Sequence, residues 1–238
     1  MTAGVFGSWQ GKSYPYTFNV QLIVDKLVGG VPSDPNVAKG WIETKMKNAS
    51  EDKVRDLVTK TMVERNVSRD EAIEEVKKLR TLSGFKKDPE KGLFIEGRHV
   101  KAMLKEAVSI AVAAKKLEMT KWGATRKWLS TYFPEHVFVV EDSIFLGVME
   151  PDEVIQSFVH VRNVSAIQYQ ECVNKAEVNF TLVTDHDFTD EQWAMIMTTG
   201  ERNGLGAGRS QGYGTFTVTR WDKVVDKAAL KRKKDGEE

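Results

Sequence analysis

The sequence predicts an α+β domain in which helices cover a mainly antiparallel sheet. Three observations support this fold class. Residues 16–30 alternate between apolar and polar side chains, as a half-buried strand does. Several short segments between residues 136 and 184 are rich in β-branched and aromatic residues. Helical periodicity precedes and follows this run of strands, which is typical of an α+β domain rather than of a strictly alternating α/β domain.

The individual elements follow from local patterns. YTFNVQLIVDKLVGG, Tyr16–Gly30, is predicted to be the first strand, and apolar residues at helical spacing predict a helix from Gly97 to about residue 117. Thr189 and Gln192 have capping-box spacing before a second helix, for which Gly200 is the predicted C-cap. The segment GTFTVTRW is then the last strand.

The length of 238 residues is compatible with one large domain. We predict a single domain over residues 1–225, with a helical insertion at about residues 48–90 that is closed by a loop. Within the insertion, Ser68 and Glu71 have the spacing of a capping box. The charged tail, residues 226–238, is predicted to be disordered.

Composition excludes several classes of protein. No run of eighteen apolar residues is present, so no membrane span is expected. The N-terminal residues lack the basic and apolar regions of a secretory signal. Cys172 is the only cysteine, which excludes an internal disulfide and a cysteine-based metal site. We expect a cytoplasmic protein, prokaryotic or phage-encoded, that uses no metal or cofactor.

Charge is unevenly distributed although the net charge is only +1. Residues 98–130 contain eight basic and two acidic side chains, a local charge of +6, and residues 201–234 contain nine and three, again +6. Residues 132–192 contain two basic and twelve acidic side chains, a local charge of −10. If the two basic segments share a face, they form a binding surface for a polyanion.

The stretch GLGAGRSQGYG, Gly204–Gly214, contains five glycines in eleven residues. Glycines serve either tight turns that need a positive φ or a backbone that closely approaches a ligand such as an anion. Arg209 and Tyr213 favour the second use, because arginine binds phosphate and tyrosine stacks on bases. A glycine-rich hairpin without a ligand remains the alternative.

Two stretches carry a resemblance to a known family. LFIEGRHVKAMLKEA, residues 93–107, resembles the segment of the RAMP superfamily of CRISPR-associated proteins in which a short strand and a glycine-containing turn lead into the first helix. GERNGLGAGRSQGYGTFTV, residues 200–218, is similar to the glycine-rich loop of that superfamily. The resemblance implies a ferredoxin-like, RRM-related core, either in a backbone-type subunit that binds guide RNA or in a stand-alone relative.

The resemblance also implies a function and a set of contact residues. It implies a non-catalytic protein that binds single-stranded RNA, assembles in several copies along it and contacts other subunits of a ribonucleoprotein. The implied RNA-binding residues are Arg98, His99, Lys101, Lys105, Arg202, Gly206, Gly208, Arg209, Ser210, Gln211, Gly212, Tyr213 and Gly214.

Three alternatives remain open. Some RAMP relatives cut RNA, and His99 beside the basic turn and Asp34 in the loop after the first strand are the catalytic candidates for such an endoribonuclease. The second alternative is an interaction protein that has kept the fold without the ligand, and the third is a binder of single-stranded DNA. No histidine has the spacing of a zinc site.

Overall fold

The structure, a computed structural model, describes residues 14–32, 59–64, 66–72, 82–114, 132–161 and 164–235. Its strands are β1 (Tyr16–Val28), β2 (Val31–Pro32), β3 (Leu82–Gly84), β4 (Lys86–Asp88), β5 (Gly92–Glu96), β6 (Val137–Val139), β7 (Ser143–Phe145), β8 (Glu153–Val161), β9 (Val164–Thr184) and β10 (Phe216–Val225). Its main helices are α1 (Gly97–Ala113), α2 (Asp190–Asn203) and α3 (Lys227–Asp235). No helix in these ranges is both long and apolar enough to cross a membrane.

The central sheet has ferredoxin-like connectivity. In chain order, its elements are β1, α1, β6, β9, α2 and β10, and the strands lie side by side in the order β10, β1, β9, β6. β1 pairs antiparallel with both β10 and β9, and β6 pairs antiparallel with β9. This arrangement confirms the predicted α+β fold with a mainly antiparallel sheet.

The hydrophobic core lies between this sheet and helices α1 and α2. Along β1, alternate side chains such as Phe18 and Leu22 are buried, whereas Asn19 and Gln21 face away from the helices. α1 contributes the apolar face that its periodicity predicted, with Leu104 completely buried. The start of α1 is therefore held at one end of a well-packed layer.

The second helix begins as predicted but ends later. Thr189 accepts a hydrogen bond from the Gln192 amide and donates its own amide to the Gln192 side chain, so the capping box is confirmed. The prediction of Gly200 as C-cap is wrong, because α2 continues to Asn203 and Gly204 is the cap, with φ +83°. A Cβ on Gly200 would lie 2.9 Å from the Met103 sulfur, so this glycine permits close packing of α2 on α1.

The described part of the predicted insertion contains both helix and strand. Residues 59–64 and 69–72 are helical, and Ser68 and Glu71 form the predicted capping box, with the Glu71 carboxylate accepting the Ser68 amide at 2.9 Å. The prediction that residues 83–92 close the insertion as a loop is wrong, since β3 and β4 lie there. β4 pairs with β5 across a turn in which the Asp88 carboxylate accepts two backbone amides.

Most of the charged tail, for which disorder was predicted over residues 226–238, is helical in the described part of the chain, since residues 227–235 form α3. The Asp226 carboxylate accepts the amides of Ala228 and Ala229 at 2.9 and 3.1 Å, which caps the helix. Ala229 is buried and Leu230 packs against the core. Two apolar side chains therefore anchor a segment whose composition is otherwise strongly charged.

Candidate functional site

The two stretches that the sequence singled out meet in one cleft of about 390 Å³. The start of α1 forms one wall, the first part of the glycine-rich loop forms another, and the chain around β2 and β3 completes it. Four predicted contact residues line this cleft, namely Arg98, His99, Gly206 and Arg209. The apolar surface comes from Val28, Val31, Phe85, Phe94, Ile95, Met103 and Leu205.

The glycine-rich loop has a closely defined conformation. All five of its glycines have positive φ, between +66° and +92°. The loop is held to β1, since the Ala207 amide donates to the Val28 carbonyl at 2.9 Å and the Gly214 amide donates to the Lys26 carbonyl at 2.8 Å. The tight-turn use of the glycines is therefore confirmed.

One loop amide in the cleft remains available for a ligand. Gly206 lines the cleft, and its N–H has no acceptor in the described part of the chain. A Cβ at this position would lie 2.8 Å from the Val28 carbonyl oxygen, so only glycine brings the backbone this close to β1. A free amide beside cationic side chains is a suitable donor to an anion.

Arg209 connects the loop to α1. Its guanidinium donates to the Glu106 carboxylate, and about a third of the Arg209 side chain remains exposed (34%). Hydrogen bonding from Arg209 lowers the pKa of Glu106, so this carboxylate stays ionised at neutral pH. Any anion that binds Arg209 must therefore compete with Glu106.

The opposite wall carries a second set of charges. The Glu96 carboxylate accepts hydrogen bonds from Lys86 at 3.0 Å and from the Arg98 Nε at 3.0 Å. Arg98 is nevertheless 71% exposed. Glu96 is the N-cap residue of α1 but makes no side-chain cap, and no acidic residue occupies the first turn. The start of α1 is thus a positive helix end flanked by cations.

His99 is half-buried in the same cleft. Burial, followed by the positive charge of Arg98, lowers the pKa of its imidazole. Because the ordinary pKa of histidine is about 6.5, His99 is neutral at pH 7. A neutral imidazole can donate a hydrogen bond to a ribose hydroxyl with one ring nitrogen and accept one with the other.

The lowered pKa of His99 predicts a pH dependence of stability. The folded state binds fewer protons at this site than the unfolded state once the pH falls below about 6.5, so acidification favours unfolding. We expect the unfolding free energy of His99→Gln, measured by urea titration, to fall less than that of the wild type between about pH 7 and 5.5. Equal losses in both proteins would contradict this assignment.

The other predicted contact residues lie outside the cleft. Lys101 and Lys105 are on an adjacent face of α1, and Lys101 lines a different cleft. The ring of Tyr213 packs against Gly208, and a Cβ added to Gly208 would lie 2.8 Å from that ring. Gly214 is buried in the turn, and the remaining residues, Arg202, Ser210, Gln211 and Gly212, are exposed. Asp34 lies outside the described residues.

Three charged or polar residues of the cleft region were not predicted as site residues, namely Lys86, Glu96 and Glu106. Glu106 was detectable, because it stands seven residues after His99 and therefore on the same face of α1. Lys86 was not detectable, since it belongs to a strand that the sequence did not predict.

Two other histidines, His136 and His186, lie in a cluster outside the cleft. His136 is 2.7 Å from the Asp185 carboxylate, and the Tyr132 hydroxyl is 3.1 Å from the His186 ring. Asp187 binds Lys223 instead. Within the described ranges, no three metal-binding side chains converge.

The chain has a weak structural likeness to a solved protein, without a match in sequence. No protein-family model matches the chain, and no curated sequence matches it. A chain in the "Cryo-EM structure of the Type III-B Cmr-beta bound to cognate target RNA" aligns with 89% of this chain at 12% identity, with a TM-score of 0.47. This chain covers 61% of that chain's length.

Proposed function

We propose that this protein binds single-stranded RNA in the cleft between α1 and the glycine-rich loop, without cutting it. As a RAMP-type protein, it would act in the cytoplasm in several copies along the RNA, together with other subunits of a ribonucleoprotein. The observation that carries the proposal is the convergence of Arg98, at the start of α1, with Gly206 and Arg209 of the loop, more than 100 residues later in the chain.

The cleft offers what a nucleotide chain requires. Three cations, Lys86, Arg98 and Arg209, line the cleft. They are balanced only in part by two carboxylates, Glu96 in the lining and Glu106 beside Arg209, which leaves a local excess of positive charge for phosphates. The apolar walls offer surfaces to sugars and bases. The outward face of the sheet is less suitable for stacking, because Asn19, Gln21 and their β9 neighbours there are polar.

The competition for Arg209 provides a direct test. Glu106→Gln removes the charge that holds the guanidinium, so we expect affinity for a fluorescent uridine 12-mer to rise about fivefold at low salt. Glu191→Gln, in the exposed first turn of α2, makes the same charge change outside the cleft and is the control. Equal affinities of the two variants would contradict a phosphate-binding role for Arg209.

The kind of nucleic acid is tested separately. Nucleic acid recovered with the purified protein should be degraded by RNase and resist DNase, and DNase-sensitive material would assign the cleft to single-stranded DNA instead. Protein that carries no nucleic acid and ignores added oligonucleotides would favour an interaction protein without a ligand.

An endoribonuclease is the second candidate, because the neutral imidazole of His99 lies in the cleft. RNA incubated with the wild type should remain intact if the protein only binds. Fragments with defined ends that disappear in His99→Ala would favour the enzyme.

A further inference from the structure

A second cleft, of about 340 Å³, lies on the other side of the start of α1. It shares Glu96 and Arg98 with the first cleft, so a strand whose phosphate contacts Arg98 can reach both. Its remaining lining residues are Gly97, Lys101, Phe138, Val139, Glu141 and Asp142.

Lys101 is a hydrogen-bond donor that the second cleft does not share with the first. Its ammonium lies 4.4 Å from the centroid of the Phe138 ring, a cation–π distance. Burial lowers the pKa of Lys101. No carboxylate lies within ion-pair distance of it in the described part of the chain. A partly buried ammonium that has only an aromatic ring as its partner can still bind an acceptor.

The second cleft also contains an available acceptor. Asp142 uses its backbone carbonyl to accept the Gly97 amide at 3.0 Å, and its exposed carboxylate makes no hydrogen bond among the described residues. Glu141, by contrast, accepts the Thr181 amide at 2.8 Å. The carboxylate of Asp142 is therefore free to accept two N–H groups from a ligand.

A nucleobase matches this combination of an aromatic ring, a donor and a bidentate acceptor. Guanine presents adjacent N1–H and N2–H groups on one edge and the acceptors O6 and N7 on another. Uracil has a single N–H donor, and adenine has no ring N–H beside its amino group. We infer that the second cleft binds a guanine base of the bound RNA, with Asp142 accepting from N1 and N2 and Lys101 donating to O6 or N7. The inference rests on the proposed RNA-binding function.

The test compares three fluorescent RNA 12-mers: all uridine, uridine with one central guanosine, and the same oligomer with inosine in place of guanosine. Inosine keeps O6, N7 and N1–H but lacks the N2 amino group. We expect the wild type to bind the guanosine oligomer about tenfold more tightly than the inosine oligomer. We expect Asp142→Asn to abolish this ratio, while Glu191→Gln, which makes the same change of charge, keeps it.

The outcomes separate this inference from the proposed function. If the wild type binds all three oligomers equally, RNA binding stands and the guanine cleft is overturned. If Asp142→Asn keeps the guanosine preference, the assignment of the acceptor is overturned. If no oligomer binds, the proposed function is overturned together with the inference that rests on it.

Discussion

Replacing Arg98 and Arg209 together by alanine is expected to weaken binding of single-stranded RNA about 100-fold at low salt. Each guanidinium lines the cleft from a different wall and can bind its own phosphate, so the strand loses two charge-assisted hydrogen bonds. Two such bonds contribute about 3 kcal/mol together, which corresponds to the expected factor. The variant also leaves Glu96 and Glu106 without these partners, which adds repulsion.

The measurement is fluorescence polarisation over a range of salt concentrations. Loss of two phosphate contacts should reduce the slope of log affinity against log salt by about 1.4. A variant with Lys175→Ala and Arg220→Ala is the matched control, because both cations are exposed and paired with carboxylates outside the cleft. If both double variants lose affinity and slope equally, binding depends on overall charge and not on the cleft.

Gly214→Ala is expected to destabilise the protein by about 3 kcal/mol or more, through two additive effects. Gly214 has φ +80°, a conformation that costs a non-glycine residue about 1 kcal/mol or more. Its added Cβ would also lie 2.0 Å from the Leu205 carbonyl oxygen, a backbone atom that cannot move without opening the turn. The loop would then lose the hydrogen bond from the Gly214 amide to Lys26.

Gly212→Ala is the control for the conformational effect alone. Gly212 has φ +87°, but a Cβ there meets no atom within 4 Å. We expect it to cost about 1 kcal/mol in unfolding free energy, measured by urea denaturation. Similar losses in Gly212→Ala and Gly214→Ala would mean that the close approach of Gly214 to Leu205 does not hold the loop.

Features that depend on local chemistry could be predicted from the sequence. The alternation in β1, the apolar face of α1 and the capping box at Thr189 all follow from residues a few positions apart, whose interactions are set by backbone geometry. The glycine-rich loop could also be predicted, because five glycines in eleven residues indicate a turn with unusual dihedral angles.

Predictions from local sequence patterns failed where tertiary packing determines the secondary structure. Gly200 was expected to end α2, but it lies inside the helix, where the absence of a side chain permits close packing against Met103 of α1. The charged tail was expected to be disordered, but burial of Ala229 and packing of Leu230 hold α3 in place. In both cases a long-range contact outweighed a local propensity.

The amino-acid pattern alone was enough to predict the strands and helices of the central sheet layer and the two stretches that line the cleft. It could not predict that Arg209 pairs with Glu106, that Lys86 lines the cleft and that Lys101 lines a separate one. These contacts escaped prediction because they join residues far apart in the chain. Arg209 and Glu106 are 103 residues apart, and only the packing of α1 and the loop onto one sheet brings such side chains together.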